Sequence, residues 1–169
     1  MPDQATTLEA LLADEYDRLV RLAGIICREP ADAQDAVQAA IVRALAHRDA
    51  LRDPGKLRSW LNQIIVHEAI RIDRRQRRWW THLGTPPREI EIASPDGDPA
   101  RPEAIATGAL REGFERLPIE QRIVVALHHY AGYSMAETAE IVGAPLETVR
   151  SRLRLARARL RQILEVVPR

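Results

Sequence analysis

Apolar side chains recur along this chain at i, i+3, i+4 and i+7, the spacing of one helix face, and clear strand-like alternation is absent. Leu8, Leu11, Leu12, Leu19, Leu22, Ala23 and Ile26 predict a first helix over about Thr7 to Cys27, which Pro30 breaks. Asp32 is placed to cap a second helix, in which Ala33, Ala36, Val37, Ala40, Ile41, Ala44 and Leu45 form one stripe. The sequence RDPGK, from Arg52 to Lys56, reads as a turn. A third helix from about Leu57 would bury Trp60, Leu61, Ile64, Ile65, Ala69 and Ile72 before running into RIDRRQRRWW. Glu68 falls inside that stripe, so its burial would demand an arginine or amide partner. Between Thr81 and Arg101, Gly84, Pro86, Pro87, Pro95, Gly97 and Pro99 stand among scattered acids and predict a flexible linker. Beyond it, Pro102 or Glu103 opens a helix to about Leu117, and Pro118 opens another to about Tyr130. The expectation is an all-α protein of two small helical domains, residues 7–80 and 103–167, joined by a linker over residues 81–102.

The densest local signals lie between Tyr133 and Leu164. Ser134 followed three residues later by Glu137 is a capping box, so a helix can start there with its free amides satisfied. Met135, Thr138, Ala139 and Val142 then share a face, Gly143 suits a left-handed terminating residue, and Pro145 suits the first turn of the next helix. In that second helix Val149, Leu153, Ala156, Leu160 and Leu164 keep the helical period on one side, while Glu147, Ser151, Arg154 and Leu155 fall roughly opposite. This is a helix-turn-helix whose outer face is shaped to enter a DNA major groove.

A net charge of only +1 argues against nucleic acid until its distribution is read. Residues 1–70 carry 8 basic and 11 acidic side chains, net −3, and residues 71–82 carry 5 and 1, net +4. Residues 83–140 carry 5 and 10, net −5, and residues 141–169 carry 7 and 2, net +5. Two compact basic segments in an otherwise acidic chain can engage phosphates at two separate places. The single Cys27 sits in the apolar run AGIIC and reads as a buried thiol. Nothing resembles a signal peptide and no apolar run nears bilayer length, so a cytoplasmic protein is expected. His47, His67, His82, His128 and His129 form no zinc motif, no glycine-rich phosphate loop is present, and the acids mark no nucleophile or general base. Neither an enzyme nor a bound metal or cofactor is expected.

The segments LPIEQR, from Leu117 to Arg122, and ETVRSRL, from Glu147 to Leu153, resemble the −35-binding domain of extracytoplasmic-function (ECF) sigma factors, the promoter-specificity subunits of bacterial RNA polymerase. ADAQDAVQAAIVRAL and RSWLNQIIVHEAIRIDRR resemble the polymerase-binding and −10-recognition helices of the same family. The resemblance implies a region 2-like domain, a linker and a region 4-like domain. It places Asp35, Gln38 and Val42 on the polymerase-facing side of the second helix, where Ala39 stands in place of a common acid. It makes the loop from His47 to Lys56 a pocket for a flipped base, with Arg48, Arg52 and Lys56 as phosphate anchors or simply as residues of a surface turn. Asn62 and His67 would read or brace the −10 strand, although the family more often has Asn at the second position. Arg71, Arg74, Arg75 and Arg78 share a helix flank suited to the backbone of the melted strand. Trp79 and Trp80 are equally suited to stacking on bases and to packing against the domain or a partner. In the recognition helix Thr148, Arg150, Ser151, Arg154, Leu155 and Arg157 are the implied −35 contacts. Arginine can pair bidentately with guanine, and an exposed Leu155 can touch a thymine methyl or pack on a partner helix.

The resemblance further implies core RNA polymerase and promoter DNA as partners, and an anti-sigma protein as inhibitor. The competing reading is an autonomous helix-turn-helix regulator whose N-terminal helices sense a ligand or dimerise.

Overall fold

The computed structural model describes residues 4–83 and 102–166, and these are helical with short turns. Helix α1 spans Gln4–Ile26, α2 Pro30–Ala46 and α3 Leu57–Leu83, with single 3-10 turns at Arg48–Ala50 and Pro54–Lys56 between the last two. The second half contains α4 Pro102–Arg116, α5 Ile119–Val125, a π-helical turn at Ala126–Tyr130, α6 Met135–Val142 and α7 Leu146–Val166. The all-α expectation holds. Most of the expected linker, residues 84–101, lies outside the described residues, as do the side chains of Trp79 and Trp80.

Several boundaries shift for local reasons. Helix α2 starts from an extended Glu29 with Pro30 in its first turn and no side-chain cap. Proline's missing N–H and fixed φ serve that position without one. Asp32 is therefore not the cap; it sits within the first turn and accepts a hydrogen bond from Gln76 of α3 at 2.6 Å. The helix expected from Pro118 to Tyr130 stays α-helical only to Val125. There the register widens, with the Ala131 N–H donating to Ala126 O at 3.0 Å and that of Tyr133 to Leu127 O at 3.1 Å. The widened turn aims His128, His129 and Tyr130 differently from an unbroken helix. The capping box of α6 is present in both directions, Glu137 N–H to Ser134 Oγ at 3.2 Å and Ser134 N–H to Glu137 Oε2 at 2.8 Å. Gly143 ends α6 at φ 65°, a conformation that a Cβ would strain.

Helices α1, α2 and α3 bury Leu19, Leu22, Ile26, Ala36, Val37, Ala40, Leu61, Ile65 and their neighbours in one cluster. Leu45, which the periodicity placed in the core stripe, is instead substantially exposed, as is Val42. The same cluster takes in Ile119, Ile123, Ala126, Leu127 and Ile141 from the second half. A smaller cluster, Leu117, Val124, Val125, Val149, Leu153 and Ala156, holds α4 to α7 together. Helix α5 thus presents apolar side chains to two cores and lies between them, with Gln121 and Arg122 buried beside these and Glu120 exposed.

Glu68 is almost fully buried and is held at both oxygens, by Arg43 of α2 at 3.0 Å and by Arg71 of α3 at 2.7 Å. The arginine heads reach it from the surface, each more than half exposed. This asymmetry fixes what mutation should do. Removing the carboxylate returns two arginines to water, whereas removing both arginines strands a buried charge. In urea unfolding, Glu68→Met is expected to cost about 1 kcal/mol or less, and Arg43→Met with Arg71→Met on the order of 3 kcal/mol. Equal losses would show that Glu68 is hydrated and not held by its partners.

Candidate nucleic-acid interface

Helix α7 is oriented by burying Val149, Leu153 and Ala156 on α5, which leaves its opposite side to solvent. Arg150, Arg154 and Arg157 are exposed on it, Thr148 and Ser151 are half-buried, and Leu155 is 46% exposed. Leu155 is therefore not packed into either core among the described residues. Arg150, Arg154, Arg157 and Arg161 line a shallow groove of about 480 Å³ together with His128 and Met135. Four guanidiniums on one wall make a strongly positive strip, the charge that a phosphate backbone seeks.

Two of these arginines are tethered. Arg150 pairs with Glu147 one turn back at 2.5 Å. Arg157 donates to His129 Nε2 at 3.1 Å, which requires that nitrogen to be unprotonated. Arg154 has no hydrogen-bond or ionic partner among the described residues, so its fork is available to an external acceptor. The neighbouring His128 is fixed by a 2.7 Å hydrogen bond from Nδ1 to the Tyr133 carbonyl.

In the first half, Asp35, Gln38 and Val42 fall on the solvent side of α2, with Val42 67% exposed and Leu45 beside it. This face is partly apolar, in line with Ala39 standing where an acid is common. Arg48 and Lys56 are exposed on the two 3-10 turns and Arg52 is exposed between them, and Gly55 N–H is held by the Asp53 side chain at 2.9 Å. His67, Arg74, Arg75 and Arg78 are exposed on α3, whereas Arg71 is engaged with Glu68. Asn62 is not presented to solvent at all. It is completely buried, donates through Nδ2 to Tyr133 Oη at 2.8 Å, and its Oδ1 lies 3.4 Å from an Arg18 nitrogen. Sequence periodicity gave no role to Tyr133, Arg18 or the pairing of Arg122 with Asp73. The one available signal was the unbroken apolar run around Ile123 to Leu127, which exceeds what a single face requires.

Electrostatics sharpen two positions. Glu15 bonds Arg18 and pairs with Arg58 at 2.5 Å, and the Arg18 hydrogen bond chiefly holds its carboxyl below the usual range. Burial pushes the Cys27 thiol up to about 12, so it stays protonated and unreactive at neutral pH. Among the described residues no cluster of histidine, cysteine or carboxylate side chains is grouped to hold a metal ion, and no helix is long and apolar enough to cross a membrane.

With this geometry in view, the comparisons are specific. Residues 11–81 match the family model for sigma-70 region 2 and residues 107–160 that for sigma-70 region 4. The chain is 34% identical over 157 residues to the ECF RNA polymerase sigma factor SigM of Mycobacterium tuberculosis, covering 92% of this chain and 76% of that one. It is 30% identical to the RNA polymerase sigma-E factor of Streptomyces avermitilis, covering 93% and 87%. Its fold resembles that of the sigma factor RpoE solved with the anti-sigma factor NepR from Bartonella quintana, at TM-score 0.74, 24% identity and coverage of 95% and 98%. It also resembles CnrH solved with the cytosolic domain of CnrY, at TM-score 0.66, 23% identity and coverage of 99% and 92%. A two-part helical protein with a helix-turn-helix second half is thereby placed in a class, the transcription initiation factors of the sigma-70 type. The chain belongs to the ECF RNA polymerase sigma factors. An autonomous helix-turn-helix regulator is not favoured, because the first half matches sigma region 2 and not a sensor or dimerisation domain.

The Arg157–His129 contact carries a pH dependence. Burial, then His128 and Arg157, hold the His129 imidazole below its ordinary value. The unfolded chain therefore takes up this proton first, and the contribution is complete above the ordinary imidazole value and lost as pH falls below it. Thermal stability should drop between about pH 7.5 and about pH 5.5, and His129→Asn should flatten that drop. An unchanged profile in the variant would assign the titration elsewhere.

Proposed function

We propose that this sigma factor joins core RNA polymerase through the exposed face of α2 and reads promoter DNA with its two halves separately. Asp35, Gln38 and Val42 would dock on the polymerase, with Val42 and Leu45 supplying an apolar centre inside a polar rim. Residues 7–80 would act on the −10 element, through Arg48, Arg52 and Lys56 at the flipped-base loop, Asn62 and His67 on the strand, and Arg71, Arg74, Arg75 and Arg78 along its backbone. Residues 103–167 would act on the −35 element, through Thr148, Arg150, Ser151, Arg154, Leu155 and Arg157. The single observation that carries this reading is the arginine-lined outer side of α7, with Arg154 unpartnered among the described residues. The chain would perform no catalysis itself and would work in the cytoplasm, where polymerase and chromosome are. An anti-sigma protein is the natural inhibitor, as the structurally similar sigma factor RpoE is described in complex with the anti-sigma factor NepR.

Each half offers few phosphate contacts, so free protein should bind promoter DNA weakly at physiological salt, and polymerase should convert two weak contacts into one strong one. In run-off transcription, adding this protein to core polymerase should give specific initiation, and Asp35→Arg with Gln38→Ala should reduce it. Tight binding of the free protein to a palindrome with no gain in initiation would overturn the assignment. Arg154→Ala should cost about 1–3 kcal/mol at the −35 site and relax base preference there, while Arg157→Ala weakens binding without altering preference. A promoter selection that returned the same sequence and affinity for Arg154→Ala would remove it from the site.

A further inference from the structure

Along α3, Asn62, Val66, Ala69 and Asp73 fall at i, i+4, i+7 and i+11, a stripe buried at its first three positions and half-buried at Asp73. Both polar ends of this stripe are held by the second half of the chain. Asn62 donates to Tyr133 Oη at 2.8 Å, and Asp73 lies 3.6 Å from the Arg122 guanidinium. Between them Ile119, Ile123, Leu127 and Ile141 enter the core of the first half, and Tyr130 Oη accepts from Arg21 Nε at 3.1 Å.

We propose that the second half of this chain is an intrachain cover for one strand-reading residue of the first, Asn62, with Tyr133 seated on it where a promoter base would otherwise bind. The proposal rests on Asn62 being a −10 reader, as assigned above. A carboxamide reads a base by offering its N–H₂ and its oxygen together. Here the amide nitrogen is committed to a phenol, the oxygen faces Arg18, and the side chain has no exposed surface. Base and Tyr133 are mutually exclusive occupants.

The cover is built to lift. The smaller cluster of Leu117, Val124, Val125, Val149, Leu153 and Ala156 lies within the second half, so separation leaves that half its own core. Closure is also imperfectly satisfied. Arg122 is 1% exposed, its Nε has no hydrogen-bond partner, and its acid partner Asp73 is shared with Arg77, which it holds at 2.7 Å. Burial lowers the Arg122 guanidinium to about 10, a measure of the hydration that opening would restore. Apolar contact favours the closed state and an under-paired buried charge opposes it, which is the composition of a two-state element.

Ile141→Asp and Asp73→Ala, one on each side of the contact, should open the full-length chain without touching a proposed DNA- or polymerase-binding residue. Small-angle scattering of the wild type should give a radius of gyration near the roughly 16 Å of a compact chain of this length, and both variants should be several ångströms larger. Circular dichroism and binding to −35 duplex should stay unchanged, showing that each half is folded. If the closed form outnumbers the open one by about ten to one, the variants should bind a short randomised single-stranded DNA about tenfold more tightly. Asn62→Ala added to Ile141→Asp should remove that gain. An expanded wild type, or opened variants that bind single strands no better, would overturn the proposal. These measurements use no polymerase, so a failure of run-off transcription would count against the assigned polymerase function and leave the cover to be judged by scattering and strand binding.

Discussion

The architecture depends on α5 being buried on two sides, with only Glu120 left to solvent. Its seven residues, Ile119 to Val125, are nearly all buried, with Ile119 and Ile123 facing the core of α1 to α3 and Val124 and Val125 facing that of α7. A single Ile or Leu fully removed from water contributes about 1.5–3 kcal/mol, so either face is a substantial contact. Because α5 belongs to both cores, the direction of α7, and with it the aim of Arg154, is fixed relative to α3 for as long as both contacts hold. The π-helical turn that follows is where this geometry reaches the polar groups. It sends Tyr130 toward Arg21 and His129 toward Arg157, and the chain then returns Tyr133 to Asn62.

Polar burial follows one rule in two versions. Glu68 is buried with both oxygens paired to arginines whose heads remain in water, an arrangement that ties α2 to α3 firmly. Arg122 is buried with a long, shared carboxylate contact and an orphaned nitrogen, and it ties the second half to the first weakly. A fully satisfied pair suits a junction that persists, and an under-satisfied one suits a junction that separates. The difference lies in partner number and distance, since both groups are almost equally removed from solvent.

What could be read from the sequence was whatever is decided locally. The capping box at Ser134 and Glu137, the left-handed Gly143 and the stripe from Val149 to Ala156 each depend on residues within a few positions, and each stands as expected. The need of Glu68 for an arginine or amide partner was also legible, because burial follows from periodicity and an unpaired carboxylate does not survive burial. Asp32 was misassigned as a cap because its side chain has a distant competitor, Gln76, and Pro30 starts the helix without it. The mating of the two halves was invisible for a related reason. Helical periodicity assigns each residue to a single face, yet Ile141 and Val66 are buried on the other one, and only a partner from far along the chain explains them. Most of the residues expected on exposed faces are exposed, with Thr148 and Ser151 half-buried, while the burial of Asn62 depends on Tyr133, 71 residues away.

The distribution of charge gives the closed arrangement a specific character. It hides Asn62, but it leaves exposed Arg74, Arg75 and Arg78 on α3 and Arg150, Arg154 and Arg157 on α7. Phosphate attraction and base reading are different terms, the first salt-dependent and blind to sequence, the second local and directional. A closed chain therefore keeps much of its general attraction to DNA while the Asn62 amide, the side chain we propose as a reader of the melted strand, is withheld. Strand reading then becomes available only when something holds the halves apart, and a polymerase that binds them at a fixed spacing does so in the act that positions both on a promoter. Specificity at the −10 element is in that case a property of the assembled complex, arising from the same separation that frees Asn62.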